Sequence, residues 1–481
     1  MQLWINVAAA LSLGLLLRLW FINHAARVDG DTLIYGDIAR NWFERGIYGF
    51  GLNGGVPHPT LIRLPGYPLF LGLCFSIFGW QNYTAVMLVQ TLIDLLTCLL
   101  ITGLAARLFS RRPALIALWL SALCPFTAGY VAAPLSETLT LFCIALAFYA
   151  LHRWSAASRG LNLWLLPLTF ALAYALLLRP EQGLLAAAIL PAMLWIALRH
   201  PAPTAITEYR STPLRSAALL PVLLVLLGTL LPLAPWTLRN WHTFHIFQAL
   251  APRYATDPGE DIPLGFQRWY RTWAIDFAST ENVYWNYDGS PIEISDLPTR
   301  AFDSNDQYAR TAALLEDYDS TVNATPALDA RFHTLASERI HADPLRYYLT
   351  LPIARVLDMA LRPRTELLPI DLEWWRWHSH PGQTLFSLAY AALNLCYLTA
   401  GLYGLYLWHR RRWTTLAGTQ SPLALAMAAT IGLRALLLLT LDNSEPRYTL
   451  EFFPILILFI AAIFFRNPLL SADPPSSAYP S

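Results

Sequence analysis

No lysine occurs in this chain: all 33 of its basic residues are arginine. Charge of either sign is scarce, 14% of 481 residues. Soluble proteins carry about a quarter, which excludes an ordinary cytosolic enzyme. With 32 acidic residues the net charge is only +1, so no basic field is available to hold a nucleic acid. The five cysteines (Cys74, Cys98, Cys124, Cys143 and Cys396) all fall in apolar stretches, as small core residues do, so disulfides and metal clusters are not expected. No internal repeat of fixed period is visible. The triplet Asn323-Ala-Thr325 fits a glycosylation acceptor, but one such match is expected by chance.

What the chain has instead is apolar blocks. Leu3–Ile22, Ala85–Ala106, Pro113–Ala132, Leu135–Leu151, Leu163–Leu178, Gly183–Leu198, Ala217–Trp236, Leu385–Trp408, Leu423–Leu441 and Thr449–Phe465 are each mostly apolar. A helix needs roughly 20 residues to cross the hydrocarbon, with about 17 tolerated, so ten spans are predicted. The first block lacks the basic flank and small-residue cleavage site of a signal peptide and reads as a retained anchor. Gly66–Gly79 is too short to span and reads as a juxtamembrane or re-entrant helix. The predicted class is an all-α polytopic membrane protein. Residues 1–239 form an N-terminal transmembrane module with a first external loop (23–84), 240–383 a mixed or helical external domain, 384–466 the last helices, and 467–481 a disordered cytoplasmic tail.

Arginine placement orients the chain. With the N-terminus cytoplasmic, the inner loops hold Arg107, Arg111, Arg112, Arg153, Arg159, Arg199, Arg210, Arg215, Arg410 to Arg412 and Arg466, as the positive-inside rule requires. The long loop from Asn240 to Gln383 carries 20 acidic residues against 12 arginines, which suits a domain outside the membrane. Within it, 308–318 and 327–344 look helical, and LPIARVLDMALRP is expected to lie along the membrane surface. Trp269, Tyr270, Trp273, Trp285, Trp374, Trp375 and Trp377 crowd this loop, as sugar-stacking faces or as an interfacial belt; the last three, just before the eighth span, read as belt. His378 and His380 form only a weak metal pair.

The densest polar cluster beside a span is DGDTLIYGDIARNWFERG, with Asp29, Asp31 and Asp37. Asp31 or Thr32 could simply cap an amphipathic helix through Glu44, closed by Gly46; alternatively a carboxylate here is a general base at the membrane edge. Arg63 follows before Pro-Gly-Tyr-Pro, and Glu137 stands at the outer end of the fourth span, where a charge is expensive unless it faces protein or water.

The series D-x-x-x-Y-x-x-x-A-R-N, R-x-P-G-Y-P-x-F, L-S-E-T-L, L-R-P-E, P-W-x-x-R-N and R-Y-x-L-x-x-x-P, running in order from Asp31 to Pro454, resembles the bacterial GT-C membrane glycosyltransferases. These are the relatives of protein O-mannosyltransferases and lipid A aminoarabinose transferases. The resemblance implies a polyprenyl-phosphate sugar donor, a catalytic aspartate at Asp31 and a second acidic position at Glu137. Many relatives have Asp-Glu side by side in the first loop; this chain has Asp31-Thr32 with Asp29 two residues earlier, which leaves both aspartates open as the base. A divalent cation bridging Asp31, Glu137 and the donor phosphate is a further possibility that the resemblance leaves open.

The chemistry suits these residues independently. An acceptor hydroxyl must lose a proton as it attacks, so a carboxylate base is required; the phosphate leaving group needs only cationic stabilisation. Without lysine that work falls to arginine. The candidates are Arg63, with Tyr67 beside it, Arg179 and Arg447, with Tyr448; Arg239 is assigned to anchoring the seventh helix. Glu181 is expected to pair with Arg179, Arg18 and Arg434 to snorkel or pair, and Asp94 to pack between helices. The resulting expectation is an inverting transferase in a bacterial inner membrane, acting on an unassigned acceptor at the outer face. Two rivals remain: a transporter or flippase for a lipid-linked sugar, and an inactive scaffold. Transporters favour midplane charges on repeated halves, and neither is visible.

Overall fold

The computed structural model describes residues 2–51, 55–157, 160–199, 215–415 and 420–465. Arg159, Arg210, Arg466 and the expected tail 467–481 lie outside the described residues. Each of the ten apolar blocks is helical, because a run without polar side chains can satisfy its backbone in lipid only by internal hydrogen bonds. The N-terminal part comprises α1 (Gln2–Ala25), α2 (Asp31–Arg45), α3 (Gly66–Phe78), α4 (Tyr83–Leu108), α5 (Arg111–Ala122), α6 (Pro125–Gly129), α7 (Glu137–Ala156), α8 (Leu165–Leu178), α9 (Gly183–Arg199), α10 (Arg215–Leu230) and α11 (Leu233–Phe244). A two-residue hairpin, β1 (Gly49–Phe50) against β2 (His58–Pro59), closes the first loop.

Among the described residues seven helices are long and apolar enough to cross a membrane, eight if one bent pair counts as a span, and the chain is a multi-pass membrane protein. The helices Gly66–Phe78, Leu165–Leu178 and Pro422–Leu438 are apolar but shorter. The third block departs from a single straight span: α5 and the stretch Pro125–Ala132 meet at 41°. Pro125 has no N–H to continue the ladder and drives Cys124 into an extended conformation.

The loop domain, residues 240–383, contains α12 (Leu264–Tyr270), α13 (Phe277–Ser279), α14 (Asn305–Asp319), α15 (Pro326–Ala342) and α16 (Leu351–Leu361). The expected helices 308–318 and 327–344 are therefore present, in α14 and α15. Trp269, Tyr270 and Trp273 are buried in this domain's own core with Phe266, Tyr318 and Phe332. They are packing residues, neither a sugar-stacking face nor a belt. The chain re-enters the bundle through α17 (Pro381–Thr415) and α18 (Gln420–Leu438), then a 3₁₀ stretch, Pro446–Phe452, that runs into α19 (Phe453–Ile463).

α4 packs on α5 and α7, α7 on α8, and α17 on α19. α1 buries Ala10, Gly14, Arg18, Phe21 and Ala25, one stripe at helical spacing, against α5 and α6. Inside it Arg18 is fully buried. Its Nε donates to Asp94 of α4 at 2.7 Å and its Nη1 to the carbonyls of Gly14 and Ala122. The two intramembrane charges expected to pair or pack do so with each other.

Candidate active site

The site is built where helix starts converge. Asp31 is the first residue of α2, Glu137 the first of α7, and Arg447 the second of the 3₁₀ stretch leading into α19. Free backbone N–H groups at such ends favour carboxylates and other anions. Gly30, at φ +46°, makes the left-handed turn that starts α2, a conformation that side chains rarely adopt. The predicted helix bounds hold: α2 runs to Arg45 and Gly46 closes it in the left-handed region.

Arg63 Nη2 lies 2.6 Å from Asp31 Oδ1, and Arg447 Nη2 lies 3.1 Å from Asp31 Oδ2. Arg447 Nε is 3.7 Å from Glu137 Oε1 and also pairs with Glu445. Arg179, in the break between α8 and α9, reaches Glu137 Oε1 at 3.0 Å and Glu181 Oε1 at 2.8 Å. Behind it, Arg434 pairs with Glu181 at 3.4 Å and Glu451 at 3.0 Å. The Tyr448 ring underlies Arg179 at 5.4 Å. Five carboxylates and four guanidiniums thus form one network. Glu137 is only 4% exposed, and its Oε2 has no hydrogen-bond partner.

Burial pushes the Asp31 carboxyl upward, but Arg63 and Arg447 outweigh it and hold the group below the usual carboxylate range. Burial tends to lower the Arg63 pKa, and the Asp31 carboxylate more than reverses this. Glu445 is held above its ordinary range by burial, despite Arg447.

Asp31, Glu137, Arg63, Arg179, Arg447 and Tyr448 are therefore brought together. Asp29 is not: its carboxylate is 71% exposed and faces Arg27 at 3.8 Å. Tyr67 stands behind the site, its hydroxyl donated to Gln90 Oε1 at 2.8 Å while Gln90 holds the Val131 and Ala133 carbonyls. Its ring meets Tyr35 edge-on, and Arg63 lies over Tyr35 at 5.7 Å. Tyr67 thus supports the layer that carries Arg63 and does not reach the ion pairs. Arg239 donates to the Thr60 and Tyr48 carbonyls at 2.7 and 2.6 Å, so it anchors α11 to the first long loop; Asn240, through the Gln248 carbonyl, makes the link to the large loop.

Glu445 and Glu451 join the network without having been candidates. Each lies within six residues of Arg447, and acidic residues flanking a cation at a helix start were the available signal.

Among the described residues no group of three or more histidine, cysteine, aspartate or glutamate side chains converges as a metal site. Asp31 and Glu137 offer one carboxylate each, and both face guanidiniums.

Residues 57–236 match the family model for dolichyl-phosphate-mannose-protein mannosyltransferases. The matched stretch contains Arg63, Tyr67, Glu137 and Arg179, and it shows the resemblance drawn from the motifs. No curated protein matches the chain. Among solved structures, the chain is similar to the archaeal oligosaccharyltransferase AglB from Archaeoglobus fulgidus, in complex with an inhibitory peptide and a dolichol-phosphate. The identity is 13% and the TM-score 0.44, over 95% of this chain and 50% of that one. It is also similar to ArnT from Cupriavidus metallidurans bound to undecaprenyl phosphate, at 15% identity and TM-score 0.36, over 95% of this chain and 77% of that one. The chain spans about half the length of the archaeal enzyme.

Proposed function

We propose that this chain is an integral-membrane glycosyltransferase that moves a sugar from a polyprenyl-phosphate carrier to an acceptor hydroxyl, inverting the anomeric carbon. One observation carries the reading: a single carboxylate, Asp31, is shared by Arg63 and Arg447 at the end of a membrane bundle where helix N-termini meet. The family match over 57–236 supports the reaction class. The arginine sorting supports an inner-membrane chain with the N-terminus cytoplasmic and residues 240–383 as an external domain.

In this mechanism Asp31 takes the proton of the acceptor hydroxyl as its oxygen attacks the anomeric carbon. The carbon–oxygen bond to phosphate breaks, its electron pair stays on the phosphate, and Arg63, Arg179 and Arg447 balance the charge. Guanidinium forks suit phosphate oxygens. Donor phosphate competes with Asp31 for Arg63 and Arg447. Its arrival therefore raises the proton affinity of Asp31 when a base is needed, and a weak base in the free protein becomes a better one in the complex. Glu137 holds Arg179 and Arg447 in place.

Purified Asp31→Asn should bind a polyprenyl-phosphate sugar yet lose transfer by about 10²–10⁴-fold, the usual contribution of a general base. Glu137→Gln should also bind it and transfer little. Wild-type rates in both variants would defeat the assignment, and flipping without transfer in vesicles would point to a transporter. Because arginines neutralise the phosphate, transfer should also survive chelation of divalent ions; full, metal-reversible loss under chelator contradicts that division of labour.

A further inference from the structure

Arg447 and Tyr448 sit side by side on the 3₁₀ stretch Pro446–Phe452, and a buried arginine outside the ion-pair network grips the chain on either side of them. Arg364 lies in the segment between α16 and α17. Its Nη1 donates to the Pro446 carbonyl at 2.9 Å and its Nη2 to the Thr449 hydroxyl, so it holds the residue just before Arg447 and the one just after Tyr448. Its Nε donates to Asn394 Oδ1 of α17 at 3.3 Å, and Asn394 Nδ2 holds the Ala360 carbonyl of α16 at 2.7 Å. The guanidinium also lies over the Phe453 ring at 5.1 Å. The Thr449 hydroxyl has the Pro446 and Met359 carbonyls at 2.9 and 3.1 Å. Upstream, Ser444 Oγ donates to Asp358 Oδ2 at 2.7 Å and the Ser444 N–H to Thr280 Oγ1 at 3.1 Å.

A 3₁₀ stretch has poorly aligned hydrogen bonds of its own, so its neighbours do much to set its shape. A guanidinium fork can hold two acceptors at a fixed spacing, which an ammonium cannot. Among the described residues, the hydrogen-bond partners of Arg364 are all neutral, although burying a guanidinium is costly. What the side chain secures is the geometry of residues 446–449. The pair it brackets belongs to the site: Arg447 reaches Asp31 and Glu137, and the Tyr448 ring underlies Arg179. A misplacement of about 1 Å at such groups is enough to slow a reaction severely.

We propose that Arg364 is a positioning residue for Arg447: it fixes the backbone on both sides of Arg447 and Tyr448, so that the Arg447 guanidinium faces Asp31 and the donor phosphate. The phosphate half of this role rests on the transferase reading; the hold on Arg447 does not. The grip comes from the segment after α16, whereas Asp31 comes from α2, so Arg447 is where the exit of the loop domain meets the first long loop. A residue that merely tied the 362–380 segment to the bundle would change the folded yield and leave the site's ionisation alone. A positioning residue moves more. When Arg447 drifts, Asp31 loses one of its two cations and its proton affinity rises, and an incoming phosphate loses a partner.

The test uses the full chain in lipid nanodiscs, with farnesyl phosphate as the binding probe. Arg364→Met should weaken binding by about tenfold, the scale of one charge-assisted contact. It should also raise the acid limb of kcat/KM by up to roughly a unit, the direction expected of Arg447→Met. Thr449→Val removes one of the two gripped groups at nearly constant size. It should shift both measures the same way by less, and it carries the test if Arg364→Met does not fold. In an Arg447→Met background, Arg364→Met should weaken binding no further, because the side chain it positions is gone. Unchanged binding in a folded variant overturns the proposal, as does an unmoved limb or an equal loss in both backgrounds. Absence of sugar transfer by the wild type defeats the transferase reading instead, and a binding loss that depends on Arg447 then still assigns Arg364 to it.

Discussion

Asp31 is held by two arginines that lie 32 and 416 residues away in sequence. Its folded pKa is lowered, so the ion pairs stabilise the protein at neutral pH, and that contribution fades only as pH falls through the lowered value. For the free enzyme, the acid limb of kcat/KM should therefore lie below about pH 4. Arg63→Met removes the larger cationic influence and lets burial dominate, so the limb should move up by roughly a unit or more. A pH–rate profile checks this; an unmoved limb in Arg63→Met argues against Asp31 as the base. At this scale the sequence was half legible. Asp31, Glu137, Arg63, Arg179 and Arg447 stood out because charge beside a span is costly. The choice between Asp29 and Asp31 did not, because both precede or open the same helix and only the tertiary position of Arg63 and Arg447 separates them. Glu451, in the 3₁₀ stretch just before the last helix, reads from sequence as one more interfacial acid.

Elements were more legible, because apolar length is local information. Every apolar block is helical, and α2, α14, α15 and α16 cover the stretches that the sequence marked as helical. The break at Cys124-Pro125 and the buried Trp269 and Trp273 were not seen: α12 is only seven residues long, too short to show a period. The helix α16 bears on membrane contact directly. Leu345, Leu349, Ile353, Leu357 and Leu361 recur every four residues through it and the turn before it, and all are exposed, as is Tyr348. A stripe of this kind is expected to rest in the lipid interface. A tryptophan introduced at Leu357 should be quenched by brominated lipids, and Leu349→Glu with Leu357→Glu should loosen the loop domain's hold on the bilayer, read as increased proteolysis in vesicles. Quenching no greater than that of an exposed tryptophan elsewhere in the loop domain would show that the stripe faces water.

Across the whole molecule the two largest cores are separate, one in the bundle and one within residues 266–336, and the site lies where the first loop meets the end of the bundle. The sequence placed Asp31 in that loop, Glu137 at the end of a span and 240–383 as a domain of its own; the pairing of Asp31 with Arg447 it could not show, since contacts across hundreds of residues leave no spacing to detect. The buried pair of Arg18 and Asp94 has a consequence for how such a molecule is made. An arginine inside the first hydrophobic segment resists entry into lipid, and the aspartate that neutralises it is synthesised 76 residues later. The first segment therefore has reason to linger at the insertion machinery until α4 emerges, so that membrane entry is a paired event and not a stepwise one. Asp94→Leu alone should leave an uncompensated charge, costing about 3–5 kcal/mol, and pulse-chase labelling should reveal rapid degradation of the newly made chain. Arg18→Leu together with Asp94→Leu should restore its lifetime, since neither segment then waits for the other.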